Sequence, residues 1–467
     1  MRLSSRYKSL LLLILLLICS VSSFSFYNVA LVHAASASIK LNPNAGPPTT
    51  RIKVSGKHFG KNEQVLITFD SNPLATAMTN NVGSFSQHAT IPASALPGSH
   101  TVQTTGQSSG LSASATFLVR TNWSMFGFDT ERTHYNPYEN VLNTSNVSGL
   151  GLAWKYKTGS SVTSSPAIVN GIAYFGSRDD KVYAVDAQTG AFKWSFTTGD
   201  LVTASPAVAN GVVYIGSHDH NLYALDAAMG AEKWNFTTGD LIFASPVVVK
   251  GVVYIASHDG NLYAVNATTG KLVWSYAIGA SMTSSPSVSN GIVYATSTDV
   301  FAINAKTGQL IWRTNDNASS ASTATVSNNT VYVVISTNTL DALNAKSGKL
   351  LWSYNSPSAI TSSIATGNGL LYFGAQDNNL YVLNATNGSL KWNYTTKGPI
   401  YSTPAVTTDV IYFGSQDDNI YALDAASGAL LWSYTTGSSI SSSPAVANGV
   451  VFVGSSDDNL YAFGLSS

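Results

Sequence analysis

The sequence predicts an all-β protein, an eight-bladed β-propeller of four-stranded blades preceded by a small β-sandwich. Three observations predict it. Tryptophan recurs at Trp154, Trp194, Trp234, Trp274, Trp312, Trp352, Trp392 and Trp432, at intervals of 40 residues broken once by 38. A period near 40 built from short strands is the mark of a propeller. The text around each tryptophan repeats, most fully in Ala184-Val-Asp186-Ala-Gln-Thr189-Gly190-Ala-Phe-Lys-Trp194. The chain also closes on itself. Three strands end it (Ala445–Asn448, Val450–Gly454, Leu460–Phe463), and a lone tryptophan strand, Leu150–Tyr156, opens the repeats. Joined, they complete an eighth blade and leave no open edge. A β-solenoid, the alternative, gives no reason for the lone strand.

From the N-terminus, Arg2, Arg6 and Lys8 precede the apolar run Leu10–Ile18, and Val32-His-Ala34 supplies a cleavage site. Residues 1–34 therefore read as a secretory signal peptide cut after Ala34, and the protein is expected to be secreted or at the cell surface. If left uncleaved, the same segment would anchor the chain in a membrane. Cys19 follows the bulky Ile18, which argues against a lipidation site. Residues 35–120 alternate polar and apolar positions, as in Arg51-Ile-Lys-Val-Ser and Gln64-Val-Leu-Ile-Thr-Phe, between Pro, Gly and Asn turns. They read as the sandwich. Residues 121–149 read as a linker that leads into the propeller of residues 150–467 and packs against it.

Within a repeat, four strand-length pieces are separated by turn signals. In the first they are Ser164–Asn170, Ile172–Ser177, Val182–Asp186 and Phe192–Phe196. Asn-Gly pairs such as Asn170-Gly171 and Asn448-Gly449 join the first two strands, as tight primed hairpins require. A proline stands twelve residues after most tryptophans (Pro166, Pro206, Pro246, Pro286, Pro404, Pro444). Proline is tolerated on an edge strand, so this is the innermost strand, lining a narrow channel. The tryptophan strand lies on the outer part of the blade, packed between neighbours.

Charged residues are 10% of the chain and the formal net charge is zero. Nothing in this surface draws nucleic acid or an anionic membrane. The single cysteine lies in the signal segment, so disulfides and cysteine-based sites are excluded from the mature chain. The chain shows no Gly-x-Ser-x-Gly elbow, His-Glu-x-x-His helix or phosphate loop. The Asp turns at Asp179, Asp219, Asp259, Asp377, Asp417 and Asp457 lack calcium-loop spacing and read as local turn chemistry.

The A-x-D-x-x-T-G-x-x-x-W text resembles the tryptophan-docking motif of the quinoprotein (PQQ-like) propeller repeat, and the likeness runs from Trp123 to the end. Trp123-Ser-Met-Phe-Gly-Phe-Asp129 and His134-Tyr-Asn-Pro137 look like the segment that often precedes such propellers. Residues 36–119 resemble the immunoglobulin-like TIG modules of bacterial surface proteins, through Asn42-Pro-Asn-Ala-Gly46, Val54-Ser-Gly56 and Leu96-Pro-Gly-Ser-His100. The propeller resemblance implies either a dehydrogenase or a scaffold without cofactor. In the dehydrogenases PQQ lies on the axis between a tryptophan floor and two adjacent cysteines, with Ca²⁺ held partly by a glutamate and an aspartate as base. Residue by residue, this chain offers no cysteine pair and no spare tryptophan. After Glu139 its only glutamate is Glu232, on a tryptophan strand. The expectation is therefore an exported, monomeric, non-catalytic platform for a protein, glycan or cell-envelope partner, with no catalytic, cofactor or metal residues and neither PQQ nor calcium. The alternatives are a PQQ- and calcium-dependent dehydrogenase, or an envelope-assembly scaffold like the outer-membrane barrel-assembly lipoprotein.

Departures from the repeat mark one candidate ligand patch. On the face carrying the turns between strands two and three and the links between blades, blades 2 and 3 hold Asp200, His218, Asp219, His220, Asp240, His258 and Asp259. Phe243 replaces the usual Thr, and Tyr401 stands at the same offset in blade 7. Binding residues tend to sit on loops held by a rigid scaffold.

Overall fold

The computed structural model describes residues 36–314 and 322–466. The expected signal peptide and Cys19 lie outside the described residues. Those residues are almost entirely β; one short 3-10 turn, Val147–Gly149, precedes the first propeller strand. No helix among them is long and apolar enough to cross a membrane.

The N-terminal strands form two sheets. Ser38–Asn42, Arg51–Lys57 and Phe85–Thr90 make one; Ala45–Gly46, Ser112–Val119, Gly98–Gly106, Gln64–Phe69 and Asn72–Met78 make the other, each in that spatial order. The polar–apolar alternation aims one face of each sheet inward, and Ile52, Val54, Val65, Ile67, Val102 and Phe117 meet in a common core.

The remaining strands form eight four-stranded antiparallel sheets. Blade 1 comprises Ala167–Val169, Ile172–Ser177, Lys181–Asp186 and Phe192–Thr197 in sequence order from the axis outward. Asn170 (φ 56) and Gly171 (φ 79) both take the left-handed conformation that a primed two-residue hairpin needs. Blade 8 joins Ala445–Ala447, Val450–Gly454 and Asn459–Leu465 to Leu150–Lys157, with Ala462 paired to Trp154. The ring is closed by strands from the two ends of the repeat region, as the lone tryptophan strand predicts.

Tryptophans dock each blade on the next. The Trp154 indole lies against Gly190 of the following blade, where a Cβ would stand 2.8 Å from Cδ2. Its Nε1 donates to Ala187 O at 3.2 Å. Trp194 repeats this on Gly230 and Ala227 O, at 3.0 Å. The glycine of the motif (φ +71 at Gly190) thus serves both the turn and the close approach of the ring.

Two further devices organise the axis. The first is a closed ring of hydroxyls. The backbone N–H of Ser165 donates to Ser205 Oγ at 2.9 Å, that of Ser205 to Ser245 Oγ at 2.9 Å, and that of Ser245 to Ser285 Oγ at 2.8 Å. The relay continues through Thr323, Ser363 and Thr403 to Ser443, whose N–H returns to Ser165 Oγ at 2.9 Å. Proline is replaced by Ala324 and Ile364 in blades 5 and 6, yet the preceding hydroxyl is kept in every blade.

The second is a strap. The segment read as a linker winds across the hairpin-turn end of the channel and bonds to every innermost strand. Trp123 exchanges backbone bonds with Ile168, and Ser124 O, Thr130 O, Glu131 O, Thr133 O and His134 O accept from Val208, Val288, Val326, Thr366 and Val406. Asn136 Nδ2 reaches Val446 O at 2.9 Å. Arg132, wholly buried, covers blade 3 by donating from Nη2 to Ser245 O and Pro246 O, both at 3.0 Å, and reaches blade 4 through Nε to Pro286 O at 3.0 Å. The strap ties in both directions: its Thr121 N–H donates to Asn448 Oδ1 of the ring at 2.7 Å, and its Asn140 Nδ2 donates to Ala95 O of the sandwich at 2.9 Å.

Candidate functional site

With one end covered by the strap, the other end of the channel, carrying the links between blades, is the open mouth. Along each innermost strand the mouth residue (Thr163, Thr203, Phe243, Tyr401 and their equivalents) stands two positions before the ring hydroxyl.

At the mouth the structure draws part of the predicted patch together. The Phe243 ring lies 4.3 Å from His218 and 5.6 Å from His258, centroid to centroid, between the two imidazoles. Asp240 lies between two histidines, its Oδ2 3.5 Å from His258 Nδ1 and its Oδ1 4.0 Å from His220 Nε2. Leu241 N anchors Asp240 Oδ1 at 2.8 Å and so fixes the carboxylate on its link. His218 Nε2 is held by the Thr203 hydroxyl at 2.8 Å. Burial holds the His218 imidazole below the ordinary histidine range, against the opposing pull of Asp200. Chemically, the arrangement is a carboxylate-backed imidazole beside an aromatic wall. It can take a proton from a bound hydroxyl and cover an apolar part of a small molecule.

The rest of the patch is not part of this cluster. Asp219 Oδ2 accepts from Gly199 N at 2.6 Å and from the Tyr223 hydroxyl at 2.7 Å. Asp259 does the same with Gly239 N and Tyr263, both at 2.7 Å. Both are turn staples, as are Asp179, Asp417 and Asp457. Asp200 is turned onto Leu201 N at 2.7 Å. Tyr401 is exposed at the mouth four blades away, on the opposite side of the ring. The sequence marked the segment of Asp129 and His134 only as a propeller lead-in, and it gave no role to Arg132 or to the hydroxyl ring. The latter had a legible signal, a Ser or Thr before each proline position.

The docking geometry and closed ring define an eight-bladed propeller of the PQQ type. The chain belongs to the β-propeller family described as "Beta-alanine-activating enzyme, beta-propeller", whose model matches residues 209–465, more than half of the chain. The family described as "Glucose/ethanol/alcohol dehydrogenase, beta-propeller domain" matches residues 123–205. The quinohemoprotein alcohol dehydrogenase of Comamonas testosteroni is 37% identical over 71 residues, 15% of this chain and 10% of that protein. The chain thus matches about a tenth of that relative's length. A europium-containing methanol dehydrogenase superposes with a TM-score of 0.66 at 18% identity, covering 74% of this chain and 98% of that one. BamB from Moraxella catarrhalis gives a TM-score of 0.58 at 17% identity, covering 68% of this chain and 99% of that one. At these identities the two structures speak for the fold alone.

These matches correct two expectations. The reading of a chain that is not an enzyme, and that uses neither PQQ nor calcium, is overturned by the dehydrogenase family match and the alcohol dehydrogenase relative. The elimination rested on one donor arrangement, while docking tryptophans and short blades are common to enzyme and scaffold propellers, so it could not separate them. That donor arrangement itself is not reproduced here. Seven tryptophans are held on outer strands against glycines of the next blade, Trp432 donates instead to Leu150 O at 2.9 Å, and Trp123 lies in the strap, paired with Ile168. Glu232 lies on an outer strand, bonded to Asn235 at 2.7 Å. No cysteine occurs among the described residues. The residues present do not fit the quinone and its calcium in the arrangement the resemblance implies, and no step is derived through them.

Proposed function

We propose that this chain is the propeller of a redox enzyme of the quinoprotein dehydrogenase kind, oxidising a hydroxyl-bearing small molecule at the open channel mouth. The observation that carries the reading is the dehydrogenase-propeller match over residues 123–205, continued by a second enzyme-propeller family over residues 209–465. In this reading His258 and Asp240 would meet the substrate hydroxyl and Phe243 would cover its carbon skeleton, while the two-electron acceptor would be a quinone bound as cofactor. The covered channel end makes the mouth the substrate entrance. The N-terminal unit is read as an immunoglobulin-like module that presents the propeller outside the cell.

The test is a titration of the purified, metal-free protein with PQQ and Ca²⁺, followed by heat and absorbance. Stoichiometric binding supports the reading and shows that the quinone site departs from the implied one. Absence of binding, together with no dye reduction on a panel of alcohols and sugars, would sink it.

A further inference from the structure

Blade 8 breaks one rule of the repeat at the place where the sandwich meets the ring. The other seven blades carry tyrosine at the third position of their second strand. Tyr174, Tyr214, Tyr254, Tyr294 and Tyr332 each donate the hydroxyl to the docking alanine carbonyl of the next blade, at 2.9–3.1 Å. Blade 8 has Phe452 there. No hydroxyl therefore reaches Ala187 O, which accepts the Trp154 indole N–H at 3.2 Å, and the wall beside it is hydrocarbon.

That wall faces a cleft of about 460 Å³ between the sandwich and the ring, within the ~300–1,000 Å³ range of small-molecule sites. Leu118 and Val119 line it from the sandwich, Ile168 from blade 1, and Val450 and Phe452 from blade 8. The strap sets the spacing of these walls. Thr121 and Asn448 exchange hydrogen bonds at 2.7 and 3.0 Å, and Asn122 Oδ1 accepts from Asn170 N at 3.1 Å. Arg120 is the one charged residue lining the cleft. It is partly buried and forms no ion pair among the described residues. An arginine stem can lie along an apolar wall while its head stays in water, and the planar fork matches a carboxylate. A hydrocarbon cleft with a single cation at its edge selects an amphipathic anion.

We propose that the cleft between the sandwich and the seam of blades 8 and 1 binds a free aliphatic carboxylate, its tail against Leu118, Val450 and Phe452 and its acid head on Arg120. The site lies at the strap end of the ring, away from the mouth, and stands independently of the redox reading.

The experiment titrates the whole purified protein calorimetrically with octanoate, decanoate and dodecanoate, each below its micelle concentration, and with octan-1-ol. One site is expected, with affinity rising at least about twofold per added methylene. Octan-1-ol should bind about tenfold more weakly than octanoate. Arg120→Gln should weaken decanoate about tenfold and leave octan-1-ol unchanged. Leu118→Trp, which fills the cleft from a partly buried position, should abolish binding of both. Should that variant not fold, Phe452→Tyr restores the residue of the other seven blades and is expected to weaken decanoate severalfold. Dodecanoate that does not bind up to about 1 mM overturns the proposal. So does octan-1-ol binding as tightly as octanoate, or decanoate affinity unchanged in Arg120→Gln and in the cleft variant.

Discussion

His134 offers a pH test of the strap. Its side chain is 1% exposed, both ring nitrogens lack a partner, and the ring sits edge-on to Phe126 at 4.8 Å. Burial, aided by the Arg132 charge, draws its pKa from 6.5 to about 3. The unfolded chain therefore takes up a proton that the folded strap refuses, and stability falls as pH drops through 6.5. At pH 5 the unfolded imidazole is some 1.5 units below its pKa and the folded one is still neutral, which is about 2 kcal/mol at 1.36 kcal/mol per unit. By pH 3, where the folded imidazole is itself half protonated, the loss is about 4 kcal/mol. His134→Asn removes the titration, and Asn tolerates the left-handed backbone (φ 55) at this position. Asp129 and Glu139, whose carboxyls burial pushes up, are common to both proteins. Urea denaturation of both at pH 7.5 and pH 5 should show the parent losing about 2 kcal/mol more than the variant. Parallel pH profiles would refute a neutral, sealed His134.

Other substitutions probe the ring and the mouth. Gly190→Ala forces a Cβ against the Trp154 indole at φ +71, whereas Gly171→Ala at φ +79 meets open space. The second should cost about 1 kcal/mol of backbone strain and the first about 1–2 kcal/mol more, read from denaturation midpoints. Trp154→Ala, which empties the seam closing blade 8 on blade 1, should cost about 3–5 kcal/mol. His258→Gln should lower kcat/KM about 100-fold with Tm unchanged, because the side chain is half-exposed and sits on a rigid link.

The ring was legible because 40-residue repetition adds eight weak signals into one, and the lone strand at Leu150–Lys157 required a blade lacking its outermost strand. The sequence also placed Phe243 and the histidines at common offsets, and equal offsets become neighbouring positions around an axis. The same offset put Tyr401 half a turn away, since blade number and not residue type sets distance across the mouth. Asp219 and Asp259 looked like ligands only because the Tyr hydroxyls and Gly N–H groups they hold come from other strands. That the linker packs against the propeller was legible; its course across the channel end was not. It has no periodicity, and its partners, from Ile168 to Val446, are spread over the whole ring. Nor could the function be decided by subtraction, because blade chemistry is set by packing in catalytic and scaffold propellers alike.

The most direct test of the redox account is dye-linked turnover by the purified protein loaded with PQQ and Ca²⁺, set beside Asp240→Asn and His258→Gln on the same substrates. Turnover on an alcohol or sugar that falls about 100-fold in both variants, with quinone binding retained, is the predicted result. Turnover that is absent, or unchanged in both variants, would contradict a hydroxyl-oxidising site at the mouth.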